Sequence, residues 1–128
     1  MRLAVTLGFC AAALAFVVAC GSDDASEDPP SDEAQVRAVA EEFNAAWREG
    51  DGERACDLLN PESAEQFNVP CQRYFSKTGK AVKEIRIEDV RVNGDEALVR
   101  ATRLDAKRRI HTKLVVRRID GEWLVSFG

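Results

Sequence analysis

Few side chains in this 128-residue chain are equipped for chemistry, and each points to a narrow set of reactions. There are four cysteines, Cys10, Cys20, Cys56 and Cys71, with one histidine, His111, and one tyrosine, Tyr74. A thiol can be alkylated, oxidised to a disulfide, or deprotonated to bind a metal. Imidazole and phenol can pass a proton. Motifs that would organise these groups for catalysis are missing: there is no G-x-S-x-G, no glycine-rich phosphate loop and no cluster with metal-ligand spacing. The cysteines carry most of the information.

Cys20 closes the run Val17-Val18-Ala19-Cys20. Before it, Met1 and Arg2 form a short positive region and Leu3 to Val18 is continuously apolar or small. That stretch falls short of the roughly 20 residues a comfortable membrane span needs. After it the chain turns polar at once, through Gly21-Ser22-Asp23-Asp24 and Ser26-Glu27-Asp28-Pro29-Pro30-Ser31. The pattern is that of an export signal with a small residue, Ala19, before the cut. An uncleaved N-terminal anchor helix is the competing reading.

The segment resembles the lipid-attachment site of a bacterial lipoprotein. The resemblance implies removal of residues 1–19 and a diacylglyceryl group on the Cys20 thiol, with Cys20 as the new N-terminus. Two or three acyl chains hold firmly where one gives only marginal binding. The expected location is extracytoplasmic, on the outer face of the cell membrane, with the membrane itself as the first partner. Cys10 would leave with the signal. Loss of Arg2 takes the formal net charge from −4 to −5.

Cys56 and Cys71 remain, an even pair in a compartment where disulfides persist. They close a loop of about 15 residues, for which chain entropy gives about 3 kcal/mol of stabilisation. A metal site would need more ligands than two thiols and a distant His111, and the spacing is unlike a C-x-x-C redox pair. A structural disulfide is the expectation, with no metal and no cofactor.

Residues 20–31 read as an acidic, disordered tether and residues 32–128 as one small domain. Ser31 or Asp32 caps the first helix, with Gln35 as a capping-box partner to Asp32. Val36, Val39, Ala40, Phe43 and Trp47 form its apolar stripe, and Gly50-Asp51-Gly52 ends it. Short helices are expected around Ala55–Leu59, from Pro61 through about Phe67, and from Pro70 to near Gly79. From Lys83 the period becomes two. Ile85 and Ile87 are in one phase, Val90 and Val92 in the other, so a bulge is expected at Glu88-Asp89. Asn93-Gly94 and Asp120-Gly121 are hairpin signals, with strands at about Glu96–Leu104, Arg108–Ile119 and Glu122–Phe127. Helices followed by an antiparallel meander make the fold class α+β.

Several segments together carry a family resemblance. They are the first helix with Phe43 and Trp47, the stretch Asp51-Gly52-Glu53-Arg54-Ala55-Cys56-Asp57-Leu58-Leu59 followed by Cys71, and Ile119-Asp120-Gly121-Glu122-Trp123-Leu124-Val125. The chain is similar to small actinobacterial lipoproteins with a nuclear transport factor 2-like (cystatin-like) domain. The resemblance implies N-terminal helices packed in the concave face of a bent, four-stranded antiparallel sheet, as a cone. Such folds serve isomerases, dehydratases, transport factors and inert accessory domains, so activity has to be argued from a site.

Site candidates are sparse. His111 is out of phase with Ile110, Thr112, Leu114 and Val116, so it should face solvent. Tyr74 should pack its ring and bond its hydroxyl near the disulfide. Asp89 and Asp105 fall at a bend and a turn, where Asp is ordinary. The aromatic side chains are expected to form the core rather than line a pocket. A basic stretch, Arg100, Arg103, Lys107, Arg108, Arg109, Lys113, Arg117 and Arg118, reads first as a solvated sheet face with edge-protecting charges. Its sharper reading is a binding surface for anionic headgroups, cell-wall polymers or the acidic half of another copy, centred on Arg108, Arg109, Lys113 and Arg117.

The leading expectation is a non-enzymatic, lipid-anchored envelope domain that binds an envelope protein, a polymer or a small apolar ligand. The first alternative is a small isomerase- or hydrolase-like enzyme using the cone pocket, with Tyr74 or His111 as acid or base. The second is a pocketless structural module that forms homodimers through its sheet. Location excludes nucleic acid as a partner.

Overall fold

The computed structural model of the protein describes residues 28–127. The signal segment 1–19, Cys20 and most of the 20–31 tether therefore lie outside the described residues; Asp28 to Pro30 are exposed and irregular. Four helices come first, α1 (Asp32–Glu49), α2 (Gly52–Asp57), α3 (Pro61–Ala64) and α4 (Cys71–Thr78), with a 3-10 turn at Gly79–Ala81. Four strands follow, β1 (Val82–Asn93), β2 (Glu96–Asp105), β3 (Arg108–Ile119) and β4 (Glu122–Ser126). They pair antiparallel in the order β1-β2-β3-β4. The class is α+β, helices inside a curved sheet.

Ser31, not Asp32, caps α1: its hydroxyl accepts the Ala34 N–H at 3.2 Å. Gln35 is then the fourth helical residue, one too far along for a capping box. Its Nε2 instead donates to the Pro30 carbonyl at 2.7 Å. Asp32 and Glu33 complement the helix dipole in the first turn. Gly50 ends α1 in the left-handed conformation at φ 72, with its N–H on the last carbonyls.

The buried face of α1 is Val36, Ala40, Phe43 and Ala46, while Val39 and Trp47 are only half-buried. Two core layers follow from that face. Val36 and Ala40 pack with Val90, Ala97, Val99, Val116 and Trp123. Phe43 and Ala46 pack with Ala55, Leu59, Cys71, Phe75 and Val125. Helix α3 stops at Ala64 instead of continuing to Phe67. Ser63 and Gln66 bond the Phe127 main chain, and Phe67 turns inward onto Tyr74. The tertiary contacts outcompete the next helical turn.

Alternation along β1 breaks between Ile87 and Asp89, where the register with β2 shifts, so both apolar pairs reach the same face. The first hairpin turns at Gly94-Asp95, one residue later than the Asn93-Gly94 signal suggests: Asn93 still pairs with Glu96, and the left-handed φ falls on Gly94 alone. That is the pattern of a type II′ turn, which wants glycine first. Asp120 and Gly121 are both left-handed, as an Asp-Gly I′ turn requires. The β4 edge is covered: Leu59 bridges Val125, with Asn60 N–H to the Val125 carbonyl at 2.7 Å.

Two cross-links fasten the helices. Cys56 in α2 and Cys71 at the start of α4 lie at disulfide distance, with Cα atoms 6.0 Å apart. Arg118 forks onto the Asp32 carboxylate at 3.1 Å through both terminal nitrogens, reaches Asp95 at 2.9 Å, and lies 4.6 Å over the Trp123 ring. The hydrogen bond to Asp32 is the largest influence and raises the Arg118 pKa further. This clasp joins the first turn of α1, where the tether enters, to the first hairpin.

Candidate functional site

Cross-strand pairing sorts the sheet into an inner and an outer face. Val99 lies between Val90 and Leu114, Ala101 between Ile87 and Thr112, and Arg103 between Ile85 and Ile110. These three rows face the helices. Above them the side chains do not fill the cone. A cavity of about 400 Å³ remains, within the range of small-molecule sites.

Its wall is mostly aromatic. Phe43, Trp47, Phe67, Tyr74, Phe75 and Phe127 all line it, and only Trp123 among the described aromatics does not. Phe43 and Phe75 meet edge-on with centroids 5.3 Å apart, Phe67 and Tyr74 are tilted at 4.6 Å, and Trp47 meets Phe75 edge-on at 6.1 Å. The rings pack against one another: Phe43 and Phe75 are buried behind the wall, and Trp47, Phe67, Tyr74 and Phe127 keep partly open surface beside the void. The expectation that the aromatics form the core holds for Phe43, Phe75 and Trp123, whereas Trp47, Phe67, Tyr74 and Phe127 are half-buried at the cavity.

The polar lining is thin. Thr112 donates to the Ala101 carbonyl at 3.3 Å, and Ser63 and Gln66 are engaged with Phe127. Asn44 completes it from α1. Tyr74 is half-buried between Phe67 and Phe75, and its hydroxyl has no hydrogen-bond partner among the described residues. The expected bond near the disulfide is not made; the ring packs against Phe67 and Phe75.

Arg103 and Asp105, two apart on β2, are the charged side chains on the inner face at this wall. The Arg103 guanidinium lies 5.3 Å over the Trp47 ring and bonds Asp105 at 2.8 Å. Its Nε is buried without a partner, as is Asp105 Oδ1. Trp47 is held in turn by its Nε1 donating to Thr78 Oγ1 at 2.9 Å. Asp105 is therefore no ordinary turn residue, and Arg103 does not belong to the outer basic surface. The signal was present: Ala97, Val99, Ala101 and Arg103 share one phase, so an alternating strand had to carry the arginine to the core side.

The other basic residues scatter. Arg100 and Arg91 both bond Asp89, at 2.9 Å each, and Arg117 bonds Glu96 at 3.0 Å. Burial works to raise the Asp89 pKa, but Arg100 and Arg91 outweigh it and hold the carboxyl below its usual range. Its contribution to stability is complete at neutral pH and is lost as pH falls through that lowered value. Arg108 and Arg109 lie exposed where β3 leaves the β2–β3 turn, opposite Asp105 and Leu104. Lys113 pairs with Arg100 on the outer face, so it borders the cavity with its backbone while its side chain leads away.

His111 is exposed on the outer face, beside Thr102 at 3.2 Å; the same Thr102 donates to Glu88. The sheet separates it from Tyr74 in the cavity. The two proton-carrying side chains cannot serve one site. Among the described residues no three His, Cys, Asp or Glu side chains gather as metal ligands, and no helix is long and apolar enough to cross a membrane.

No protein-family model matches the chain, and no curated protein matches it. Solved structures do. One is a Campylobacter jejuni protein described as an NTF2-like transpeptidase, 19% identical with TM-score 0.55, over 72% of this chain and 97% of that one. Another is an NTF2-like protein of unknown function from Shewanella baltica, 14% identical with TM-score 0.55, over 71% and 85% of the two chains. A de novo designed NTF2 fold protein is 14% identical with TM-score 0.56, over 77% and 87%. The fold is nuclear transport factor 2-like. At these identities the likeness concerns the backbone and says nothing of ligand or reaction.

Proposed function

We propose that the protein is a lipid-anchored binding domain of the bacterial cell envelope that holds a small, largely apolar ligand inside its cone. The observation that carries the reading is the cavity of about 400 Å³ walled by six aromatic rings. A void of that size and polarity suits a compact apolar molecule better than a polymer or a protein segment. The inward charges at this wall are Arg103 and Asp105, already paired with each other, and among the described residues no acid or base hydrogen-bonds Tyr74. Such a wall orients and retains; the pairing of groups that proton transfer needs is not built into it.

Anchoring rests on the signal-like segment and Cys20, and a cysteine pair at disulfide distance suits an oxidising compartment. Residues 1–19 are then the signal peptide, 20–31 the spacer and 32–128 the binding domain. Mass spectrometry of the membrane-bound chain should find acyl groups on an N-terminal Cys20, and Cys20→Ser should lose them. An intact Met1 on the membrane form would rule out this anchor.

Native mass spectrometry of the protein from its own host tests the cavity. Wild type should retain a small molecule, and Ala101→Phe should not. Ala101 is buried on the inner face, and a phenyl ring there projects into the void. Because the ring fills space rather than opening it, thermal stability should hold or rise. Ligand retention by a stable, folded Ala101→Phe protein would refute cavity binding.

A further inference from the structure

We infer that the ligand is an amphipathic anion: an apolar body lying against the aromatic wall, with a carboxylate head on Arg103. The inference rests on the cavity-binding reading and goes further by fixing the ligand's charge and polarity.

The one inner-face carboxylate near the cavity, Asp105, is spent on Arg103, and no other acidic side chain lines it, although the chain carries 22 acidic residues and a net charge of −4. One cation points in, Arg103, from the inner-face row between Ile85 and Ile110. An arginine placed among isoleucines is costly unless its donors are used, and long charged side chains on such faces normally reach for solvent. Here the guanidinium is instead held at the wall. Trp47 supports one face and Asp105 takes one terminal nitrogen; Nε, like Asp105 Oδ1, is buried without a partner and closed to a ligand, which leaves the terminal-nitrogen edge of a side chain that is 23% exposed.

That geometry limits what can be recognised. A guanidinium edge presents two parallel N–H donors, and a carboxylate has two matching oxygens. The Trp47 ring and the Asp105 contact fix the guanidinium plane, so little side-chain freedom is lost on binding. A neutral apolar molecule would use the rings and leave the arginine idle. A multiply charged, strongly hydrated anion would use the arginine and waste six rings. An aromatic or acyl carboxylate uses both.

Asp105 adds a second, independent signature. It competes for the same guanidinium, so removing its charge should strengthen binding of an anion while removing the arginine weakens it. A variant that merely damages the fold cannot produce a gain.

The experiment compares 2-naphthoate with its neutral near-isostere 2-naphthamide by calorimetric titration of the full chain in phosphatidylcholine nanodiscs. Wild type should bind the carboxylate about tenfold tighter than the amide, the scale of one charge-assisted hydrogen-bonded pair in a partly solvated site. Arg103→Gln should bring the two ligands level by weakening naphthoate alone. Asp105→Asn should widen their ratio by tightening naphthoate.

Equal binding of the two probes by wild type, or a ratio unmoved by both substitutions, would overturn the anion assignment while leaving an apolar binding cavity in place. Binding of neither probe would overturn the assignment together with the cavity reading. Arg103→Lys separates charge from shape: it should keep only part of the preference, because an ammonium offers no paired donors.

Discussion

Replacing Gly79 with alanine is expected to destabilise this domain by about 3 kcal/mol or more, at the upper end of what overpacking costs. The reason is not conformational freedom, because Gly79 has φ −60 and ψ −29, open to any residue. A Cβ there would lie 1.7 Å from the Trp47 carbonyl oxygen. The obstacle is main chain, so no side chain can rotate away, and α1 must separate from the end of α4. Gly52 is a second such contact, with an added Cβ 1.9 Å from the Gln72 carbonyl.

The control is Gly94→Ala. Gly94 has nothing within 4 Å of the added atom, but its φ is 60. Only left-handed strain should be felt there, about 1–2 kcal/mol. Urea unfolding of the three variants should rank Gly79 and Gly52 as costlier than Gly94. A Gly79→Ala protein as stable as wild type would show that the end of α4 does not lie against the Trp47 carbonyl in solution. Because Trp47 carries the clashing carbonyl and also forms cavity wall, Gly79→Ala should impair ligand retention as well.

Removing the Cys56–Cys71 link should cost a comparable amount. A closed loop of 15 residues corresponds to about 3 kcal/mol in the chain-entropy estimate. For a domain of this size that is a fall of roughly 10–20 °C in melting temperature. The two elements it joins cannot compensate. Helix α2 has 6 residues and α4 has 8, below the length at which a helix stands alone in water. Cys56→Ser/Cys71→Ser should therefore melt early, and reductant should bring wild type to the same point. If reductant leaves the wild-type melting temperature unchanged, the thiols are not linked in the protein as isolated. The cavity should suffer too, since α4 supplies Tyr74 and Phe75 to its wall.

Much of the frame was legible because it follows local rules. Residues three and four apart share a helix face, so Val36, Ala40 and Phe43 could be assigned to the core from spacing alone. Residues two apart share a strand face, so the phase break between Ile87 and Val90 announced the bulge that bends the sheet. Asp120-Gly121 specified its turn because few residues tolerate left-handed backbone. Parity also pointed Arg103 inward, a signal masked by the other basic residues around it in sequence.

What the tertiary structure decided depends on distances between segments remote in the chain. Nothing near Gly79 in sequence says that the Trp47 carbonyl will lie against it. Nothing local ends α3 at Ala64; Phe127, more than sixty residues on, takes its hydrogen bonds. The cavity is the clearest case. The six rings could be counted from the sequence, but whether they close the cone or leave room depends on how far apart the backbone holds them. Composition supplies side-chain volume, and only the fold sets the space to be filled.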